Sequence, residues 1–235
     1  MFDSDGPPLE GVPVIVTGGS SGLGAAVVDL IARRGGKPIV FDRVAPADGV
    51  DHELVDLGDT AAASAAVQRV IARLGSVGAV VTCAGMDACG RLTSVPADTW
   101  ERVIAVNLLG TVSVVRAALP SVAQRQGRIV TVASTLGLKA VGDATAYCAS
   151  KFGVVGFTRA LAAETAGEVG VTLLIPGGMA TQFFDGRDEQ YRPPPDARLN
   201  DPADVAQAVV FALEQPRGCE IREMVVCPST EPSWP

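Results

Sequence analysis

Short apolar runs rich in β-branched residues recur along this chain, most of them followed by a longer stretch of helical character, and that alternation constrains the fold more than any other feature. The runs are VPVIV from Val12, PIVF from Pro38, ELV from Glu53, VGAVV from Val77, RIVTVA from Arg128, VTLLI from Val171 and MVVC from Met224. Apolar strands separated by helices predict a mostly parallel sheet with helices on both faces, a doubly wound α/β fold. One connection is abnormal. Between Asp42 and the strand at Glu53 lies RVAPADGVDH, with Pro46 and Gly49 and no amphipathic period. The helix between the second and third strands is therefore expected to be shortened or missing. An extended chain gaining about 3.3 Å per residue can still span a short strand.

The length of 235 residues suits one domain over 1–235, with a core over 11–226 and an extended tail over 227–235. The tail, CPSTEPSWP, holds too many prolines for a helix or a central strand, and Trp234 is its expected anchor. A net charge of −7 with no clustered Lys or Arg argues against nucleic acid as a partner. No apolar run approaches the roughly 18 residues of a membrane span, and the start MFDSDGPPLE is acidic where a signal peptide would be basic. A cytoplasmic protein without a membrane partner is expected. Five cysteines, odd in number and without a CxxC pair, read as unpaired thiols. The single histidine, His52, removes a histidine-rich metal site and, unless His52 itself serves, a Ser-His-Asp triad. It is expected to be a bystander, and no metal site is expected.

The segment VPVIVTGGSSGLGAAVVDLIARRGG sets a strand, a turn rich in Gly and Ser, and an amphipathic helix in direct succession. Gly18, Gly22 and Gly24 let the backbone turn tightly and approach a pyrophosphate, and the free N–H groups of the helix start favour its charge. Thr17, Ser20, Ser21 and Leu23 complete the candidate phosphate turn. Asp42, ending the second strand, can accept the adenosine ribose hydroxyls and repel a 2′-phosphate, which favours NAD. The adjacent Arg43 can accommodate that phosphate, so NADP stays open.

Tyr147 and Lys151 form Tyr-x-x-x-Lys in a stretch of small and apolar residues, ATAYCASKFGVVGFTRALAAE. The spacing places both on one face of a largely buried helix. An ammonium beside a phenol stabilises the phenolate, so Tyr147 can exchange a proton with a substrate oxygen. The chain has only three lysines, Lys37, Lys139 and Lys151, which makes a lysine in an apolar helix conspicuous.

The turn Thr17-Gly18-Gly19-Ser20-Ser21-Gly22-Leu23-Gly24, a TGxxxGxG pattern, together with Tyr147 and Lys151 resembles the short-chain dehydrogenase/reductase family in its short single-domain branch. The resemblance runs from about Val12 to Val226 and implies a Rossmann-type nucleotide-binding fold. It implies that Asp56 and Leu57 hold the adenine ring. Thr82-Cys83-Ala84-Gly85 is similar to the family's Asn-Asn-Ala-Gly segment, with Cys83 where an Asn is usual, and Ala84 and Gly85 letting the cofactor lie close. Ser134 matches the family's catalytic Ser, which polarises the substrate oxygen, and Asn107 the Asn that holds a water in a proton relay to the Lys. Pro176, Gly177, Gly178, Met179 and Thr181 match a loop that contacts the nicotinamide carboxamide; Asn107, Tyr147 and Lys151 border the same cofactor.

The activity implied is hydride transfer between NAD, or NADP, and a small-molecule secondary alcohol or ketone, in a homodimer or homotetramer. A non-catalytic nicotinamide-binding sensor or scaffold is the alternative, and a partner of a larger synthase a third. Thr135, Leu136, Leu138, Val141, Cys89, Arg91, Phe183, Phe184 and Tyr191 are the expected substrate contacts, mainly apolar with few fixed charges, under a short lid from Thr181 to Asn200.

Overall fold

The computed structural model describes residues 9–47 and 49–234; the acidic start before Leu9 and the terminal Pro235 lie outside them. Seven strands form one parallel sheet in the order β3-β2-β1-β4-β5-β6-β7. They are β1 (Pro13–Thr17), β2 (Lys37–Asp42), β3 (Asp51–Leu54), β4 (Ala79–Thr82), β5 (Arg128–Val132), β6 (Gly170–Pro176) and β7 (Glu223–Val226). The order reverses between β1 and β4, where loops leave the strand ends in opposite directions and open a crevice.

Strand residues alternate between two apolar layers because successive side chains point to opposite faces. Val14, Val16, Val40, Val81, Val130 and Leu174 pack on α1 (Gly22–Arg33) and α6 (Pro202–Leu213). Ile15, Ile39, Phe41, Val80, Ile129 and Val171 pack on α2 (Thr60–Leu74), α4 (Thr111–Gln124) and α5 (Thr145–Glu164). Both faces are covered, as the continuous apolar strands require.

A third helix, α3 (Ala97–Ile104), runs into α4 through a wider π-helical turn, Ala105–Gly110. The 28 residues Ala97–Gln124 are long and apolar enough to cross a membrane, which corrects the expectation that no stretch approaches that length. Here the inner side of this helix rests on α2, α5 and the sheet.

Between β2 and β3 the described residues form no helix. One side of β3 faces α2, where Glu53 pairs with Arg69 at 2.7 Å and Asp51 with Arg73 at 2.7 Å. The other side, which a crossover helix would cover, leaves His52 exposed and Leu54 60% exposed. The tail after β7 is irregular, as its prolines demand. Trp234 leaves 37% of its surface exposed. Glu231 and Ser233 tie the tail down through hydrogen bonds to the loops after β6 and β5.

Candidate active site

A cavity of about 1130 Å³ opens at the C-terminal ends of the strands. Its floor at one end is the glycine turn. Gly18 has φ +67°, and a Cβ there would lie 2.7 Å from the Ala84 Cα, so only glycine allows the turn to press against the end of β4. A Cβ on Gly24 would collide with the Gly18 carbonyl. The helix starts of α2 and α6 are capped by Asp59 and Asp201, whereas α1 follows Ser21 with no side-chain cap and no acidic residue in its first turn. Uncapped N–H groups facing a cavity suit an anion, so this end fits a dinucleotide pyrophosphate.

Gly18, Ser21, Gly22, Leu23 and Gly24 line the cavity; Thr17 and Ser20 do not. They build the turn: the Thr17 hydroxyl accepts the Ala84 N–H at 3.2 Å, and Ser20 gives its N–H to Asp42 at 3.1 Å and its hydroxyl to the Val44 carbonyl at 2.6 Å. Asp42, Arg43, Asp56 and Leu57 line the end expected for adenosine. Asp42 also takes the Arg43 N–H at 2.7 Å, which aims its carboxylate along the wall. Arg102, absent from the sequence reading, lines this end and pairs with Asp56. Its guanidinium holds the Asp56 carboxyl below the usual carboxylate range.

Ser134 at the end of β5, Tyr147 in the first turn of α5 and Lys151 one turn on meet at the other end, beside Cys83, Ala84, Gly85 and the loop Pro176, Gly177, Gly178, Met179 and Thr181. Lys151 is 4% exposed and its Nζ donates to the Val132 carbonyl at 2.9 Å, lying 5.6 Å from the centre of the Tyr147 ring. Burial pulls the ammonium down to about 8, with Cys83 acting against it. Burial likewise pushes Cys83 up to about 12.

Tyr147 is raised above the ordinary phenol range, by burial first, with Ser134 acting the other way; Asp87 raises it further and Arg187 opposes. Desolvation of the phenolate is the largest influence on this phenol, and the Lys151 ammonium is turned to the Val132 carbonyl.

Asn107 sits in the π-helical turn, 1% exposed and outside the cavity lining. Its amide is a clamp: Oδ1 accepts the Met86 N–H at 2.8 Å, and Nδ2 donates to the Met86 carbonyl at 2.9 Å and to the Ser150 hydroxyl at 3.0 Å. Ser150 in turn donates to the Tyr147 carbonyl at 2.8 Å. The strand end and the start of α5 are thus tied through one side chain. A Cβ on Gly85 would lie 3.6 Å from Asn107 Oδ1 and 3.7 Å from Lys151 Nζ, so both groups flank that glycine.

Of the expected substrate contacts, Cys89, Thr135, Leu136, Val141, Phe183, Phe184 and Tyr191 line the cavity, while Leu138 and Arg91 do not. Leu138 packs into a small core cluster with Val154 and Ile175, and Arg91 is exposed. The expectation of few fixed charges is also corrected. Asp87, Asp143, Arg187 and Glu231 all line this end. The signal that could have found them is a lone charge within small, aromatic or proline-rich runs: MDACG, VGDATAY, QFFDGRD and STEPSW.

A parallel sheet of this order, with an uncapped helix behind a glycine turn at the switch point, is a Rossmann-type nucleotide-binding fold. A family model described as short chain dehydrogenase matches residues 13–192. The chain is 32% identical to glycine betaine reductase ATRR of Emericella nidulans over 96% of its own length but only 19% of that protein. It is 36% identical to 3-oxoacyl-[acyl-carrier-protein] reductase of Bos taurus, over 86% of this chain and 90% of the other. The aldohexose dehydrogenase of Thermoplasma acidophilum superposes with a TM-score of 0.84 at 25% identity, covering 97% of this chain and 95% of that one. The chain belongs to the short-chain dehydrogenase/reductase family of oxidoreductases.

Proposed function

We propose that the chain acts as one dinucleotide-binding domain that moves a hydride between a nicotinamide and a secondary alcohol or ketone, with Tyr147 as general acid and base. The observation that carries this reading is the convergence of Ser134, Tyr147 and Lys151 on a cavity that also reaches the uncapped start of α1. The turn residues Gly18, Gly22 and Gly24 would hold the pyrophosphate, Asp42 the adenosine ribose, and the loop from Pro176 to Thr181 the nicotinamide end. A bound nicotinamide dinucleotide supplies the hydride acceptor or donor.

Tyr147 gives a proton to the substrate oxygen in reduction and takes it in oxidation, and Ser134 hydrogen-bonds that oxygen. Lys151, with its pKa about 8, carries its proton at neutral pH, and from beneath the ring favours the phenolate that forms as the proton leaves. Asn107 positions Met86 and the start of α5 and supports proton exchange with water. Asp42 supports NAD, and Arg43 is the residue through which NADP would be taken. Exposed Leu109 and Phe152, on the helices that carry Asn107 and Tyr147, support a homodimer or homotetramer.

The test is Tyr147→Phe. Turnover with NAD and the best alcohol of a broad panel is expected to fall by about 10²–10⁴-fold, with nicotinamide affinity within about twofold because the phenol adds little to a ground-state grip. Turnover near the parent value refutes the assignment. Binding without turnover in the parent protein supports a sensor instead.

A further inference from the structure

The substrate end of the cavity carries more acid than base. Asp87, Asp143, Asp196 and Glu231 line it against Lys151, Arg187 and Arg198, and the Arg187 guanidinium is already engaged, 2.8 Å from Asp87 with the two side chains 17% and 8% exposed. A carboxylate or phosphate on the substrate would meet four carboxylates against three cations, one of them already paired, and would be repelled on balance. Hydroxyl groups meet the opposite situation, because each can donate to a carboxylate in a charge-assisted bond.

Asp87 and Glu231 are fixed by donors from the chain, Ala88, Cys89 and Arg187 for the first and Gly178 and Ser233 for the second. Among the described residues Asp143 accepts one donor, the Tyr191 hydroxyl, at 3.2 Å. Its backbone is kept at φ +57°, a left-handed conformation for a residue with a side chain, while its carbonyl takes the Gly90 N–H at 2.7 Å. Such a conformation is strained and persists where the surroundings impose it. Phe183 supplies a flat apolar wall, 5.6 Å between ring centres from Tyr147, on which the C–H face of a sugar ring can rest.

The tail sets the size limit. Glu231 accepts the Gly178 N–H at 2.8 Å, the Ser233 hydroxyl lies 2.6 Å from that of Thr135, and Lys139 donates to the Pro232 carbonyl at 3.1 Å. The tail therefore bridges the loops after β6 and β5 across the cavity, closing a side along which a long acyl chain would otherwise extend.

We propose, resting on the hydride-transfer reading above, that the substrate is a small uncharged polyhydroxylated molecule, a sugar or polyol, whose hydroxyls hydrogen-bond to Asp87, Asp143 and Glu231. Its reacting carbinol lies at Tyr147 and Ser134; Tyr147 first releases its phenol proton to water, and the carbinol then gives its hydroxyl proton to that phenolate and its hydride to oxidised nicotinamide as the carbonyl forms.

The experiment compares kcat/KM with NAD for cyclic polyols and aldohexoses, hydroxy acids of similar size, aliphatic secondary alcohols and a hydroxyacyl thioester. The uncharged polyols are expected to lead by at least about tenfold. In a second arm, the best polyol is titrated calorimetrically into the Tyr147→Phe protein with nicotinamide present. Adding Asp143→Asn or, separately, Glu231→Gln is expected to weaken that binding by about tenfold, and Asp143→Asn leaves nicotinamide affinity unchanged. Hydroxy acids, aliphatic alcohols or the thioester turned over at least as well overturn the inference while sparing the hydride reading. If nicotinamide binds but nothing is turned over, the hydride reading fails, and absence of polyol binding in the calorimeter overturns this one as well.

Discussion

Replacing Lys151 with Met should change how the stability of this protein depends on pH, by an amount the structure sets. Burial takes the ammonium from 10.5 down to about 8 in the folded chain. Between those values the unfolded chain holds a proton that the folded chain has released, so the contribution of Lys151 to stability rises with pH. Below about 8 both states are protonated and the full cost of the buried charge applies, about 3 kcal/mol; above 10.5 it is gone. The side chain is 4% exposed, so solvent screens this cost little. Cys83, pushed from 9.0 up to about 12, has an opposing pH dependence, but it is present in parent and variant alike and drops out of their difference. The hydrogen bond lost to the Val132 carbonyl varies little with pH and largely drops out of the comparison.

Urea denaturation of parent and Lys151→Met, followed by far-ultraviolet circular dichroism from pH 7 to 10.5, measures the difference directly. Parent stability should gain about 2 kcal/mol on the variant between pH 8 and 10. Parallel pH profiles would refute the picture of a desolvated ammonium and leave Lys151 as an ordinary helix lysine.

Two other substitutions probe the cofactor end. Gly18→Ala and Gly75→Ala both force a side chain into positive φ, at +67° and +80°, but only at Gly18 does the new Cβ meet backbone, 2.7 Å from Ala84 Cα. Calorimetric unfolding should show about 1 kcal/mol lost at Gly75 and a further 1–3 kcal/mol at Gly18; equal losses would mean that the turn is not pressed against β4. Asp42→Asn keeps an acceptor for the Ser20 N–H, 3.1 Å away in the parent, and removes the charge that repels a 2′-phosphate. The ratio of kcat/KM for NADP to that for NAD should rise by about tenfold or more, and an unchanged ratio would assign cofactor choice elsewhere.

The sheet and its two covers were legible because seven apolar runs alternate with helices, and because side-chain direction in a strand follows from position alone. Tyr147 and Lys151 were legible for a related reason: their four-residue spacing is a local fact about one helix. What escaped was everything set by tertiary approach. Asp87 meets Arg187 across 100 positions, and Glu231 reaches Gly178 across 53. Neither pairing has a spacing to read, so the substrate end looked apolar. The π-helical turn beneath Asn107 has no sequence signature, and the clamp it allows appears only when Met86 and Ser150 are brought beside it. The phenol's rise was hidden for the same reason, since burial is a property of the packed chain.

The bare side of β3 divides the protein's sensitivities between its two ends. Exposed ion pairs contribute about 0–1 kcal/mol each and weaken as counterions screen them over about 8 Å at physiological salt. Glu53–Arg69 and Asp51–Arg73 fasten this strand to α2, and among the described residues its other face has no apolar cover. The ionic strength of the medium therefore acts on this edge, just ahead of Val55, Asp56 and Leu57 in the cavity wall. The end that reacts is built on β4, β5 and β6, whose side chains are buried in apolar layers that salt does not loosen. The adenosine end thus includes a strand whose fastening answers to the solvent, while the reacting end rests on layers that do not.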